Sequence, residues 1–240
     1  RRRSILGATM TAALRRLAII LSAFAAIGSG AWHPARAETS EVRLAQQYGA
    51  VYLPLMVMEA NKLVEKHLAA QGLPATKVTW IKFAGPANIV DAFLSGAVDF
   101  GAQGVPSLAL MWDRTKGTLG IKAACAVTAN DMWLDSRNPA IKSIRDFTDK
   151  DRIAIPSAKT SSQAIVLQIA AEKAFGAGQH TKLDPLTISM AHPDAMAAVL
   201  NAGHEVATHF ATSPFHEAEL KAGLHTVTSA TEILGCLLTG

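Results

Sequence analysis

Between residues 42 and 229, short apolar runs alternate with longer amphipathic stretches, and this alternation restricts the fold more than any other feature of the chain. VRLAQ (42–46), KVTWIKF (77–83), AVDFGAQ (97–103) and IKAACAV (121–127) read as strands, as do RIAI (152–155), LTISM (186–190), EVATHF (205–210) and HTVTS (225–229). Apolar residues near helical spacing, and Pro at several first turns, predict helices over 53–70, 86–94, from 106 onward, and over 160–175, 193–201 and 214–222. Strands and helices in alternation predict an α/β fold with parallel or mixed sheets.

The stretch from 128 to 142 interrupts the pattern, with Asn138-Pro139 as a turn signal, and splits the elements into two groups. Two lobes follow, joined around 127–134. Lobe one is expected over 38–127, with 230–240 returning to it, and the hinge and lobe two over 128–229. The finish at Gly240, soon after a strand, suggests a truncated chain.

Charge excludes one class of partner. Residues 1–37 hold Arg1, Arg2, Arg3, Arg15, Arg16 and Arg36 and no acid. Removing those six from the 23 basic residues leaves 17 against 19 acidic ones, a formal charge of −2. No basic footprint for nucleic acid survives. The basic leader itself reads as a signal peptide, with an apolar stretch from Leu17 to Trp32 and an A-x-A site at Ala35-Arg36-Ala37. Arg2-Arg3-Ser4-Ile5-Leu6 leaves both the general and the twin-Arg export routes open. A periplasmic location is expected, where Cys125 and Cys236 could form a disulfide or stay as two buried thiols.

In open α/β sheets, ligands bind beyond the carboxyl ends of the strands. Those ends are residues 46–49, 84–88, 103–107, 157–162 and 209–215, and each leads toward a helix. The first N–H groups of a helix lack partners inside it and carry partial positive charge, so they suit an anion or a carbonyl. Candidate ligand-binding residues are Tyr48, Gly49, Gly85, Pro86, Gln103, Trp133, Ser157, Lys159, Thr160, Ser161 and His209. Within 157–162, Thr160 or Ser161 is the expected helix cap.

Other chemistry finds little support. G-x-S-x-G, G-x-G-x-x-G and the P-loop pattern are all missing, and no carboxylate pair stands at the strand ends. Five histidines fall between 192 and 225, but without H-E-x-x-H or C-x-x-C spacing. No catalytic residue, metal or cofactor is expected, and secreted metal capture by the second lobe stands as an alternative.

The segments VRLAQQYGAVYLPLMVMEANKLVEKHL, FAGPANIVDAFLSGAVDFGAQGVPSLAL, DRIAIPSAKTSSQAIVLQIAAEKAFG and AVLNAGHEVATHFATSPF, in that order, resemble periplasmic solute-binding proteins of ABC importers. The branch they are most similar to is the nitrate/sulfonate/taurine type, also described as SsuA-like. The resemblance implies a two-lobed periplasmic binding protein fold of type II, and a small solute such as a sulfonate or nitrate held between the lobes. It also implies a monomer that delivers its solute to a membrane permease and ATPase complex. Loops at Tyr48, Gly85-Pro86, Gln103 and Thr160-Ser161 would line the site. The chain departs from the family in ending early and in reading HEVAT after Gly203, where many members carry an acidic residue. The thiamine-pyrimidine synthases of the same fold family imply an enzymatic alternative, though they use a Cys-rich motif that this chain lacks.

Overall fold

The computed structural model describes residues 39–239. The expected signal peptide lies outside the described residues. Strands β1 (Glu41–Gln46), β2 (Lys77–Lys82) and β3 (Phe100–Gly101) form a parallel sheet in the order β2-β1-β3. Between them run α1 (Leu53–Ala60), α2 (Leu63–Ala70) and α3 (Pro86–Leu94), and α4 (Val105–Thr115) follows. This is lobe one, whose small core joins Ala45, Ile89, Ala92 and Val98.

Lobe two is larger. Its strands are β5 (Trp133–Ser136), β6 (Ile153–Ile155), β7 (Thr187–Ser189), β8 (Thr208–Ala211) and β9 (His225–Ser229), in the order β7-β6-β8-β5-β9. β6 pairs parallel with β7 and β8, while β5 runs antiparallel to β8 and β9. Helices α5 (Ser162–Phe175), α6 (His192–Leu200), α7 (Phe215–Lys221) and α8 (Ala230–Leu234) complete it. The period-two rule of strands accounts for its two layers. Ile153 and Ile155 enter a core with Val166, Leu167, Ala170 and Phe210, and Ala154 between them enters a second core with Ala195, Val199 and Val206. A strand buried on both faces is the usual signature of a sheet sandwiched by helices.

Several elements differ from the sequence reading. The stretch 121–127 forms no strand; its Ala-Ala-Cys-Ala centre is exposed and offers little apolar area to anchor a pairing. The ladder lies instead in β4 (Ala129–Asn130), antiparallel to β10 (Leu238–Thr239). β5 comes out of the irregular stretch. The helix expected over 53–70 breaks where Asn61 donates its side-chain amide to the Val57 carbonyl and Lys62 turns left-handed at φ 51°. Ala230–Leu234, expected to return to lobe one, packs Ala230 and Ile233 into lobe two's core, its start fixed by a Ser229/Glu232 capping box. Cys125 and Cys236 are free thiols, and both are exposed rather than buried. Among the described residues, no helix is long and apolar enough to cross a membrane.

Candidate functional site

The carboxyl ends of β1, β3, β6 and β8 converge on one hollow of about 670 Å³, its mouth included. From lobe one it is lined by Gln47, Tyr48, Tyr52, Pro86, Gln103 and Ser107, and from lobe two by Pro156, Ser161, Gln163, His192 and Thr212. Asn130 and Met132 from the connecting stretch close one side.

Three seams hold the lobes together around it. Ala50 N donates to Ser213 O at 2.7 Å. Ala87 N donates to Ser157 Oγ at 3.3 Å, and Ser107 Oγ donates to Thr160 O at 2.9 Å. Two glycines permit this approach. A Cβ on Gly85 would stand 2.3 Å from Pro156 O, and one on Gly104 would stand 2.3 Å from Ser162 Oγ. At Gly85 the obstacle is backbone, whereas at Gly104 it is a side-chain hydroxyl that can turn aside.

The electrostatics come from helix starts rather than side-chain charge. Pro86 opens α3, Gly104 caps α4, Ser161 caps α5 and His192 opens α6, and all four residues line the hollow. Ser161 accepts from Ala164 N at 3.1 Å and donates to Ser157 O at 2.7 Å, which fixes the α5 start. No Asp, Glu, Lys or Arg belongs to this lining among the described residues. The Gln103 carbonyl oxygen and the Thr212 hydroxyl are buried without a protein partner there, so both can meet a polar ligand. Burial pushes the Tyr52 phenol upward, which keeps it a donor at ordinary pH.

Of the residues expected from sequence, Tyr48, Pro86, Gln103 and Ser161 line the hollow. Trp133 lines a neighbouring recess shared with Val51, Thr128, Asn130 and Thr212, and stacks on His216 at 4.2 Å. Gly49, Gly85, Ser157 and Thr160 sit in the seams, where they join the lobes rather than face the interior. Lys159 is exposed, turned away by its left-handed φ of 67°. His209 lies fully buried one hydrogen bond behind His192, so it does not reach the hollow. Gln47, Tyr52, Ser107, Gln163, His192 and Thr212 line the hollow outside the expected set, and of these His192 carries a ring nitrogen. It follows β7 and precedes Pro193, so applying the strand-end rule to β7 as well would have found it.

The described residues contain no group of three His, Cys, Asp or Glu side chains placed to hold a metal ion. The two cysteines stand outside the hollow.

Two α/β lobes with facing strand ends and a hollow at the junction make the periplasmic-binding-protein fold. No protein-family model and no curated protein matches the sequence. Among solved structures, the chain is similar to the alkanesulfonate-binding protein SsuA of Xanthomonas axonopodis pv. citri bound to MOPS, with a TM-score of 0.58 and 19% identity over 85% of this chain and 65% of that one. It is also similar to the periplasmic aliphatic sulphonate-binding protein SsuA of Escherichia coli, at TM-score 0.51 and 19% identity over 84% of this chain and 65% of that one. The periplasmic nitrate-binding protein NrtA of Synechocystis PCC 6803 gives TM-score 0.56 and 16% identity, over 81% of this chain and 52% of that one. The chain thus spans about 65% of the length of these sulfonate-binding structures.

Proposed function

We propose that this chain is the substrate-binding component of an ABC importer, which takes a small oxyanion between its lobes and delivers it to a membrane permease and its ATPase. The observation that carries this reading is the set of four helix starts around one hollow that holds neutral donors and no carboxylate. Partial positive charge at each helix start favours an anion. Neutral donors discriminate by geometry and let a captured ion leave again. The neighbours named for sulfonate and nitrate supply the ligand class. A ligand that touches both lobes favours their closed arrangement by its differential affinity for it.

Thermal-shift measurement against ethanesulfonate, taurine, nitrate and methylphosphonate tests this. At 100 times its Kd, a ligand stabilises by about 2.7 kcal/mol, roughly 5–10 °C for a chain of this size. A flat response to the whole panel would sink the reading.

A further inference from the structure

Behind the hollow, three buried groups stand in one line. Gln163 and His192 line the wall, with Gln163 Nε2 3.5 Å from His192 Nε2. His192 Nδ1 lies 2.8 Å from His209 Nε2, and His209 Nδ1 lies 2.6 Å from Glu219 Oε1. His209 and Glu219 are wholly buried, and His192 is 6% exposed. The His192–His209 and His209–Glu219 contacts each hold a single proton, so the state of one end dictates the other, while the Gln163 amide can offer His192 Nε2 either its nitrogen or, turned over, its oxygen. With Glu219 ionised, His209 must donate to it from Nδ1 and accept at Nε2. His192 then donates from Nδ1, and its Nε2 faces the wall as a lone pair. With Glu219 protonated, every bond reverses: the carboxyl O–H donates to His209 Nδ1, His209 Nε2–H donates to His192 Nδ1, and His192 Nε2 carries a proton.

We propose that Glu219, His209 and His192 form a proton-conveying chain that sets the polarity of the pocket wall, so that a proton stored on Glu219 makes His192 an N–H donor to a bound anion. This rests on the oxyanion reading above and names a residue that selects for it. The switch is balanced. One proton from solvent binds His192 Nε2, the Nδ1 proton of His192 passes to His209 Nε2, and the Nδ1 proton of His209 passes to Glu219.

The surroundings of Glu219 favour its protonated form. Glu219 Oε2 is buried with no donor, which suits the carbonyl oxygen of a neutral acid better than a carboxylate. The groups around the chain agree. Asp135 on β5 faces it, is fully buried, and accepts from His216 Nδ1 at 2.7 Å and Thr226 Oγ1 at 2.7 Å. Burial first, then the charge of Asp135, pushes the Glu219 carboxyl up to about 8, with His216 on α7 opposing. Burial holds His209 down to about 3 against Asp135, and burial together with His209 holds His192 well below its ordinary value. Shifts in these directions keep all three groups neutral at pH 7; with the carboxyl proton on Oε1, the neutral line takes the order that ends in His192 Nε2–H, and the Gln163 amide turns over to accept there through its oxygen. A neutral N–H binds an anion without the cost of a buried imidazolium.

Nitrogen-15 NMR of the ligand-free full chain tests the relay directly. His192 should show the Nε2–H tautomer at pH 6–7 and convert to Nδ1–H with a midpoint near pH 8, never passing through imidazolium. An Nδ1–H tautomer at pH 6–7, or an imidazolium near pH 6.5, overturns the proposal. In Glu219→Gln the amide N–H replaces the carboxyl O–H, and the Nε2–H tautomer should persist to pH 10; should this variant not fold, the wild-type titration decides. Calorimetry with ethanesulfonate and nitrate adds the functional arm. If only the Nε2–H form binds, affinity is about 30-fold weaker at pH 9.5 than at pH 7, and Glu219→Gln abolishes that loss. A wild-type affinity as flat as that of Glu219→Gln overturns the proposal. Binding by neither anion counts against the oxyanion reading alone, because the tautomer measurement needs no ligand.

Discussion

At Gly85 the carbonyl of Pro156 leaves no room for a methyl group, and the obstacle is backbone that cannot swing aside. Gly85→Ala therefore acts on the contact between lobes. Overpacking of this kind costs about 1–3 kcal/mol, which weakens binding of ethanesulfonate roughly 5- to 150-fold. Gly117→Ala, where an added Cβ meets nothing within 4 Å, should leave the affinity unchanged in the same calorimetric assay. The buried relay also shapes stability against pH. Between 4.5 and about 8 the unfolded chain has lost a Glu219 proton that the fold keeps, so stability falls as pH rises through that window. The histidines act oppositely. Below 6.5 the unfolded chain takes up protons that buried His209 and His192 refuse, so stability falls as pH drops toward 3. Together these contributions place the stability maximum at about pH 6.5. Thermal melts from pH 4 to 9 should show it, and Glu219→Gln should flatten the alkaline side. Four of the eleven residues expected from sequence line the hollow. Tyr48, Pro86, Gln103 and Ser161 follow from the strand-end rule, whereas the place of His192 depends on β7 and its polarity on Glu219, 27 residues further on in sequence.

Elements depend on their ends. Arg137, just beyond β5, donates to Val199 O at 2.7 Å and His204 O at 2.9 Å, and also reaches Asn201 O. One guanidinium thus satisfies carbonyls at the end of α6 and in the turn after it, where a cation also suits the helix dipole. Arg137→Met leaves them without a donor and should cost about 2–4 kcal/mol, read as a lowered midpoint in urea with an unchanged slope. Ser161→Ala removes the α5 cap at about 1 kcal/mol and also takes a hydroxyl from the pocket wall, so both stability and affinity should fall. The alternation of strands and helices was visible in sequence because periods of 2 and 3.6 are local properties. β4 and β5 were not, since each exists only through partners far along the chain, β10 in one case and β8 and β9 in the other. The break at Asn61–Lys62 was hidden for another reason: a left-handed lysine leaves no trace in apolar spacing.

Across the whole molecule the lobes are unequal. Lobe two joins Leu134, Ile153, Ile155, Val166, Leu167 and Phe210 in one core, while lobe one buries four residues in its own and leaves Leu53, Phe100, Val105, Trp112 and Leu119 exposed. Regions with few buried apolar contacts open first. Hydrogen exchange should therefore reach the amides of β1 and β2 well before those of β6 and β8, and equal protection would show that the lobes unfold as one. The seams carry a different consequence. Because backbone meets backbone at Gly85 and at Ala50, a solute held as proposed would be fenced off by contacts it does not itself make. How long it stays is governed by the parting of those edges, and which solute stays by the wall within, so dwell time and choice of cargo can be tuned apart.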